Sequence, residues 1–289
     1  QWHFHPMSHY KEAHRAGKSY EHSETLYQIL SRRIIDRNFF PSVFRAGCVT
    51  ERPDANWFLE QWIPFDCSNF AVENENKEQY RDQRNGQAGD WRRAPSDWRI
   101  YHPDFYDYQK EGGCHRSIGR FLNIVSRYGN ITSYEIEKAF QRANEGLPTL
   151  LGIFNHDFRN MGNEIEYFCD LLYDISRKYN NVSFKFATAK EAFNAVLQNK
   201  LSEFDLNVRL KGNELYVDTI KGCVFGPQPY LAIKTKSGKY IHDNFDFGLD
   251  GKSWSYVFDE NMIKFEDVDT IGVAANDMCG QVSLKCIKA

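Results

Sequence analysis

LLGIFNHDFRNM, residues 150–161, is the stretch on which the fold turns. Leu150, Leu151, Ile153 and Phe154 form an apolar run of strand length, interrupted only by Gly152. The run ends in Asn155-His156-Asp157 before a polar, helix-starting sequence. A buried strand that delivers a His-Asp pair at its C-terminal end is how an α/β barrel places catalytic groups on its active face. A strand end merely capped by polar residues is the plainer reading. Two further pieces weigh against it: a histidine cluster at the start of the chain, and an Arg-Ala-Gly strand end between the two.

Upstream, QWHFHPMSHY (1–10) begins as an extended piece. Trp2 and Phe4 alternate with His3 and His5, so both histidines share one face of a strand, and His9 follows after a proline-directed turn. Residues 23–39 predict a helix with Ser23 as N-cap and Leu26, Ile29, Leu30 and Ile34 at helical spacing. Phe40 to Phe44 runs as a strand into Arg45-Ala46-Gly47. A short helix over 51–60 and a strand from Trp62 to Asp66 follow. The polar excursion 71–98 is closed by Asp90-Trp91 and Trp98, and loops of this length inside a domain are functional or mobile. The patch GGCHRSIGRFLNIVSR (112–127) receives no element, and 133–146 reads as a helix with Gly146 at its C-cap. Downstream of the central strand (149–155), an amphipathic helix over 163–179 turns Ile165, Phe168, Leu171, Leu172 and Ile175 to one face. A strand from Val182 to Phe186 and a helix over 188–200 capped by Thr188 complete the alternation.

From about residue 203 the period changes. Leu206–Leu210 and Glu214–Val217 alternate on either side of a Lys211-Gly212-Asn213 turn, a hairpin signal. Tyr230–Thr235, Lys239–Ile241, Trp254–Phe258, Thr270–Ala274 and Gln281–Ile287 supply further strands. The pattern implies two domains: an α/β barrel-like unit over 1–202 and an all-β sandwich over 203–289. For the second, the candidate tasks are carbohydrate binding, dimerisation into a homo-oligomer, or covering one end of the barrel. Packing is the default for its strands.

Composition bounds the function. A hydrophobic content of 42% and an aromatic content of 15% indicate a sizeable core. Net charge is -3 with no basic stripe, which disfavours nucleic acid as a partner. No apolar run approaches the roughly 18 residues of a membrane span. The 7 cysteines are odd in number, scattered and without a CxxC pair. They read as free thiols from a reducing compartment, which favours the cytoplasm; a secreted protein with one bridge is the alternative. The chain opens on Gln1 without an initiator Met or signal peptide and reads as an internal start, so that absence says little about location.

Three strand ends thus carry the chemistry: His3 and His5 (with His9), Arg45, and His156-Asp157. Two imidazoles on one strand face suit a divalent metal such as zinc, although a third protein ligand is needed. A surface histidine cluster or a fragment of an expression tag is the alternative. His156 has the chemistry of a general acid, and Asp157 that of the partner fixing its tautomer.

In this order, WHFHP, PSVFRAG, WIPFDCS, a long loop with tryptophans and LLGIFNHD resemble the polysaccharide deacetylase family over roughly residues 1–200. The resemblance implies a metal-dependent carbohydrate deacetylase on a distorted (β/α)7 barrel. The metal ligands would be His3 with His5, or His5 with His9 in the more usual H-x-x-x-H spacing. It implies that Arg45 orients the catalytic base, that His156 is the general acid, and that Asp66 matches a family aspartate of unassigned role. Trp91, Trp98, Tyr101 and Tyr106 would line the sugar cleft; loop residues packed onto the barrel are the alternative for each. One element departs: the family carries, ahead of the histidine motif, a strand ending in two aspartates, one the base and one a metal ligand. No such strand stands in this sequence. Either upstream residues supply it, or the chain is a glycan-binding barrel without turnover.

Overall fold

The computed structural model describes residues 1–5, 24–73, 89–125, 129–157 and 159–289. His9 and most of the 71–98 excursion lie outside the described residues.

The first half is a five-stranded parallel sheet in strictly sequential order: β1 (Trp2–Phe4), β2 (Val43–Ala46), β3 (Phe65–Asn69), β4 (Ser117–Asn123) and β5 (Gly152–Phe154). Its helices are α1 (Glu24–Arg37), α2 (Pro53–Trp62), α3 (Ser133–Asn144), α4 (Gly162–Ser176) and α5 (Ala189–Val196). Local chemistry sets their ends. Pro53 occupies the first turn of α2, where its missing N–H costs nothing. Thr132 caps α3 through the Glu135 N–H. Thr188 and Glu191 form a reciprocal capping box on α5.

Two strands, β3 and β4, separate β2 from β5 in the sheet. Yet the Arg45 guanidinium of β2 lies 3.4 Å from the centre of the Phe154 ring at the end of β5.

The second half holds two four-stranded antiparallel sheets. One is ordered β10-β11-β7-β6, from β6 (Asp205–Lys211), β7 (Glu214–Lys221), β10 (Asp246–Phe247) and β11 (Ser253–Val257). The other is β13-β12-β8-β9, from β8 (Tyr230–Thr235), β9 (Tyr240–Asp243), β12 (Val268–Asn276) and β13 (Val282–Lys288). Leu206, Leu215, Val217 and Trp254 from one sheet and Leu231, Ile233, Ile271 and Val273 from the other close an apolar core between them.

The second sheet is buried on its other face as well. Leu26, Leu30 and Ile34 of α1 pack in one cluster with Tyr230, Ala232 and Ala274. A Cβ at Gly272 would meet Ile34 Cγ2 at 2.7 Å, so β12 needs glycine where α1 crosses it. Asn276 fixes the join by donating to the carbonyls of Pro41 and Trp62, both at 2.8 Å.

Several expectations change. The patch 112–127 contains β4, a strand buried along its whole length. Arg116, Arg120 and Asn123 hide it from a hydrophobic reading. The expected strands Phe40–Phe44 and Trp62–Asp66 both begin later, at Val43 and Phe65, the second because α2 continues through Trp62. Val182 to Phe186 joins no sheet; Phe184 and Phe186 are exposed, and Phe184 instead meets Phe140 of α3 and Tyr173 of α4. On α4, Phe168, Leu172 and Ile175 are buried, whereas Ile165 faces solvent. All seven cysteines are free thiols, of which Cys67, Cys114 and Cys279 are buried.

Candidate functional site

The C-terminal edge of the parallel sheet gathers the ionisable groups. On β1, Trp2 points into the core while His3 and His5 leave it together, their rings 4.6 Å apart and edge to face. The next strand sets the orientation of His3. Its Nδ1 lies 2.9 Å from the Arg45 carbonyl. A carbonyl only accepts, so Nδ1 carries the proton and the neutral ring keeps its lone pair on Nε2.

His5 lies against the turn that follows β2. A Cβ on Gly47 would stand 2.4 Å from His5 Cγ, so glycine is what lets ring and turn meet. Cys48, held at φ 52°, brings its Sγ to 3.8 Å from His5 Nδ1. The Ser68 hydroxyl of β3 accepts the Ala46 N–H at 2.8 Å and ties down the end of β2.

From β5, the Phe154 ring lies under the Arg45 guanidinium and stands 6.1 Å from the His156 ring. Strand β5 is held at its end by a polar clamp. Asn155 accepts the His156 N–H at 2.9 Å and donates to Glu164 at the start of α4, and Arg159 donates to the same carboxylate at 2.8 Å. His156 is half-buried and Asp157 exposed.

Electrostatics follow from the crowding. Loss of hydration lowers the His3 pKa, and the positive charges of Arg45, His5 and His156 push it the same way, against the bond to the Arg45 carbonyl. His5 is lowered for the same two reasons, burial and then Arg45. Both rings are therefore kept neutral, the form that binds metal.

The other sequence-predicted residues lie elsewhere. Asp66 is fully buried in β3, where it accepts the Ser68 N–H at 2.7 Å and pairs with the equally buried Arg116. Glu51 and Asn56 complete that cluster, away from the histidines. Trp91, Trp98 and Tyr101 are core residues with at most 3% exposure, so no ring face is open to a sugar. Their polar atoms are used internally: Trp91 donates to the Val49 carbonyl at 2.7 Å, Trp98 to Glu135 at 2.8 Å, and Tyr101 to Tyr108 at 2.6 Å. The sugar-lining expectation for Trp91, Trp98 and Tyr101 is thereby corrected: all three rings are packed in the core.

The sequence reading has Phe154, Gly47 and Asn155 only as parts of strands and strand ends, and it does not single out Arg159 or Glu164. Only the adjacency of Asn155 and Arg159 to His156 offered a signal for the clamp.

The donor set was tested against the expected metal. Two neutral imidazoles with a free Nε2 on His3 are suitable zinc donors. Among the described residues, however, no three His, Cys, Asp or Glu side chains form a group ready to hold an ion. The described residues bring together two imidazoles, His3 and His5; His9, the third histidine of the opening segment, lies outside them.

Comparisons with protein-family models, with curated proteins and with solved structures find no match to this chain. Among the described residues no helix is long and apolar enough to cross a membrane.

Proposed function

We propose that this chain is a metal-dependent hydrolase that removes N-acetyl groups from an amino sugar in a poly- or oligosaccharide. On this reading the first half is a distorted (β/α)7-barrel-like domain and the second a β-sandwich accessory domain. The supporting observation is the convergence of His3, Arg45 and His156 at one edge of a sequentially ordered parallel sheet.

His3 and His5 would hold a divalent ion, zinc foremost, which supplies Lewis-acid polarisation of the amide carbonyl and of water. His156 stands at the strand end as the proton donor for the departing amine, with Asp157 beside it. Arg45, flattened on Phe154, is the cation that positions the anionic groups of the reaction. The base that removes the water proton is the aspartate implied by the family resemblance and missing from this sequence. The role of Asp66 is that of a buried counter-ion.

Three measurements test this. Metal analysis of the purified chain should find near-stoichiometric zinc, cobalt, nickel or manganese, and its absence would count heavily against catalysis. Acetate should be released from an acetylated chitooligosaccharide; binding without release favours a glycan-binding barrel lacking its acid pair. His156→Ala should abolish release and leave metal content nearly intact, and unchanged activity removes His156 from the mechanism. Loss of metal in His5→Ala and His9→Ala but not in His3→Ala would assign the H-x-x-x-H register.

A further inference from the structure

The face of sheet β13-β12-β8-β9 that meets α1 and α2 forms a seam between the two halves, and His242 of β9 lies in it. Its ring is stacked on Tyr27 of α1, with centroids 4.9 Å apart and planes parallel. It is also stacked on Tyr230 of β8, at 4.1 Å and 22°. Trp62, the last residue of α2, meets it edge-on at 5.3 Å and 90°. One imidazole of β9 therefore touches three other elements of the seam, α1, α2 and β8. Its Nδ1 lies 2.9 Å from the Leu231 carbonyl, so Nδ1 donates and the neutral ring presents an unprotonated Nε2.

We propose that His242 is an acid-operated latch between α1 and the antiparallel sheet, closed while the imidazole is neutral and released when it takes up a proton.

The groups around it decide the direction. Tyr230 donates its hydroxyl proton to the Tyr27 carbonyl at 2.9 Å, with Ser31 at 3.2 Å, so neither tyrosine brings a charge. The adjacent carboxylate is Asp243, which accepts from Tyr256 and from the Asn244 N–H, both at 2.8 Å, and its attraction for a proton on His242 is outweighed by burial. Burial brings the His242 pKa from 6.5 down to about 4. Once the seam opens, the ring meets water and regains its ordinary value. A depressed histidine contributes stability in full above the ordinary value, and loses it as pH falls from 6.5 toward 4. That shift lowers the closed-to-open ratio by about twenty-fold between pH 7 and pH 5.

The far end of the seam has its own charges. Asp36 of α1 is bound by Lys234 of β8 at 3.1 Å, by Tyr240 of β9 at 2.5 Å and by Arg32 at 3.5 Å. The Tyr240 hydroxyl bond and Lys234 hold this carboxyl below its ordinary 3.8, so it keeps its charge throughout the range in which His242 titrates.

The test is amide hydrogen exchange of the whole chain at pH 7, 6 and 5, corrected for the intrinsic exchange rate, comparing α1 with β3 and β4 of the parallel sheet. Protection of α1 should fall by an order of magnitude or more across this range while β3 and β4 hold. His242→Phe keeps an aromatic ring that cannot titrate, and should abolish the fall; Asp36→Asn should retain it. An equal fall in His242→Phe, or none in the wild type, overturns the latch. Should His242→Phe fail to fold, NMR titration of the wild-type imidazole decides. A His242 that titrates below pH 5 together with shifts in α1 supports the latch, and one that titrates near 6.5 without them refutes it.

Discussion

His3 and His5 sit on a parallel strand and leave the core together at its C-terminal edge, whereas His242 sits on an antiparallel strand and is roofed by a helix. The interiors differ in the same way. The parallel half buries Asp66, Arg116, Arg120 and Glu135 in paired clusters, while the core between the antiparallel sheets is made of aliphatic and aromatic side chains. In a parallel sheet every strand is followed by a crossover, so all loops of one kind collect at one edge, and that is where polar groups converge. Four hairpins shared between two antiparallel sheets have no such edge. Its histidine serves packing, and its chemistry is confined to the seam.

Replacing Arg116 by Met gives the largest effect expected from this contrast. The guanidinium is fully buried between Asp66, Glu51 and Asn56, and removing it strands two carboxylic acids in the interior. A loss of about 3–5 kcal/mol is expected, read as a lowered urea midpoint at unchanged slope. In the other half, Ile233→Ala removes a fully buried apolar side chain at a cost of about 2–4 kcal/mol, insensitive to pH. Were Arg116→Met milder than Ile233→Ala, the charged cluster would contribute little more than ordinary packing, and the contrast between the two interiors would fail.

Arg45 and Phe154 sharpen the same comparison at the edge of the sheet. Their contact joins β2 to β5 across two intervening strands. A double-mutant cycle with Phe154→Leu and Arg45→Met should return a coupling of about 1 kcal/mol. Additive effects would mean that the stacked pair contributes nothing beyond its separate side chains.

The helices and the antiparallel strands were legible in the sequence because hydrophobic period and capping chemistry agree there: Leu26, Leu30 and Ile34, or Thr188 with Glu191. The candidate site was legible in part, since His3 and His5 alternate with buried Trp2 and Phe4, and His156 ends an apolar run. What was hidden shares one cause. Strand β4 carries Arg120 and is preceded by Arg116, whose charges are neutralised by Asp66, Glu51 and Glu135 from other segments, so no local pattern betrays its burial. Trp91, Trp98 and Tyr101 stand in or beside a polar stretch, but they are buried by apolar side chains of other elements such as Ile118, Leu122 and Ile136, and their N–H and O–H groups go to backbone carbonyls, neither of which a local pattern displays. Val182 to Phe186 alternates like a strand, and alternation cannot show that no strand edge lies within reach.

The smallest effect belongs to Glu51→Gln, and it separates the two halves by the sign of their pH dependence. The cluster holds one cation and two carboxyl groups. Asp66 takes the close pair with Arg116, while Glu51 stands at 3.4–3.5 Å from it. Burial first, and then the charge of Asp66, push the Glu51 carboxyl well above the ordinary carboxylate range against the pull of Arg116, and the protonated group donates to Asp66. A carboxyl raised in the folded state contributes stability in full below its ordinary value of 4.5, and loses it as pH climbs from there toward the raised value. His242 runs the other way, losing stability as pH falls. Glutamine reproduces the protonated acid, its amide donating to Asp66 and its carbonyl accepting from Arg116. Its cost at pH 7 should therefore stay within about 1 kcal/mol, and the decline of stability with rising pH should flatten. A variant that loses several kcal/mol while the wild type gains stability with rising pH would show Glu51 to be ionised. The cluster would then be a salt bridge among three charges, not an ion pair with a neutral acid beside it.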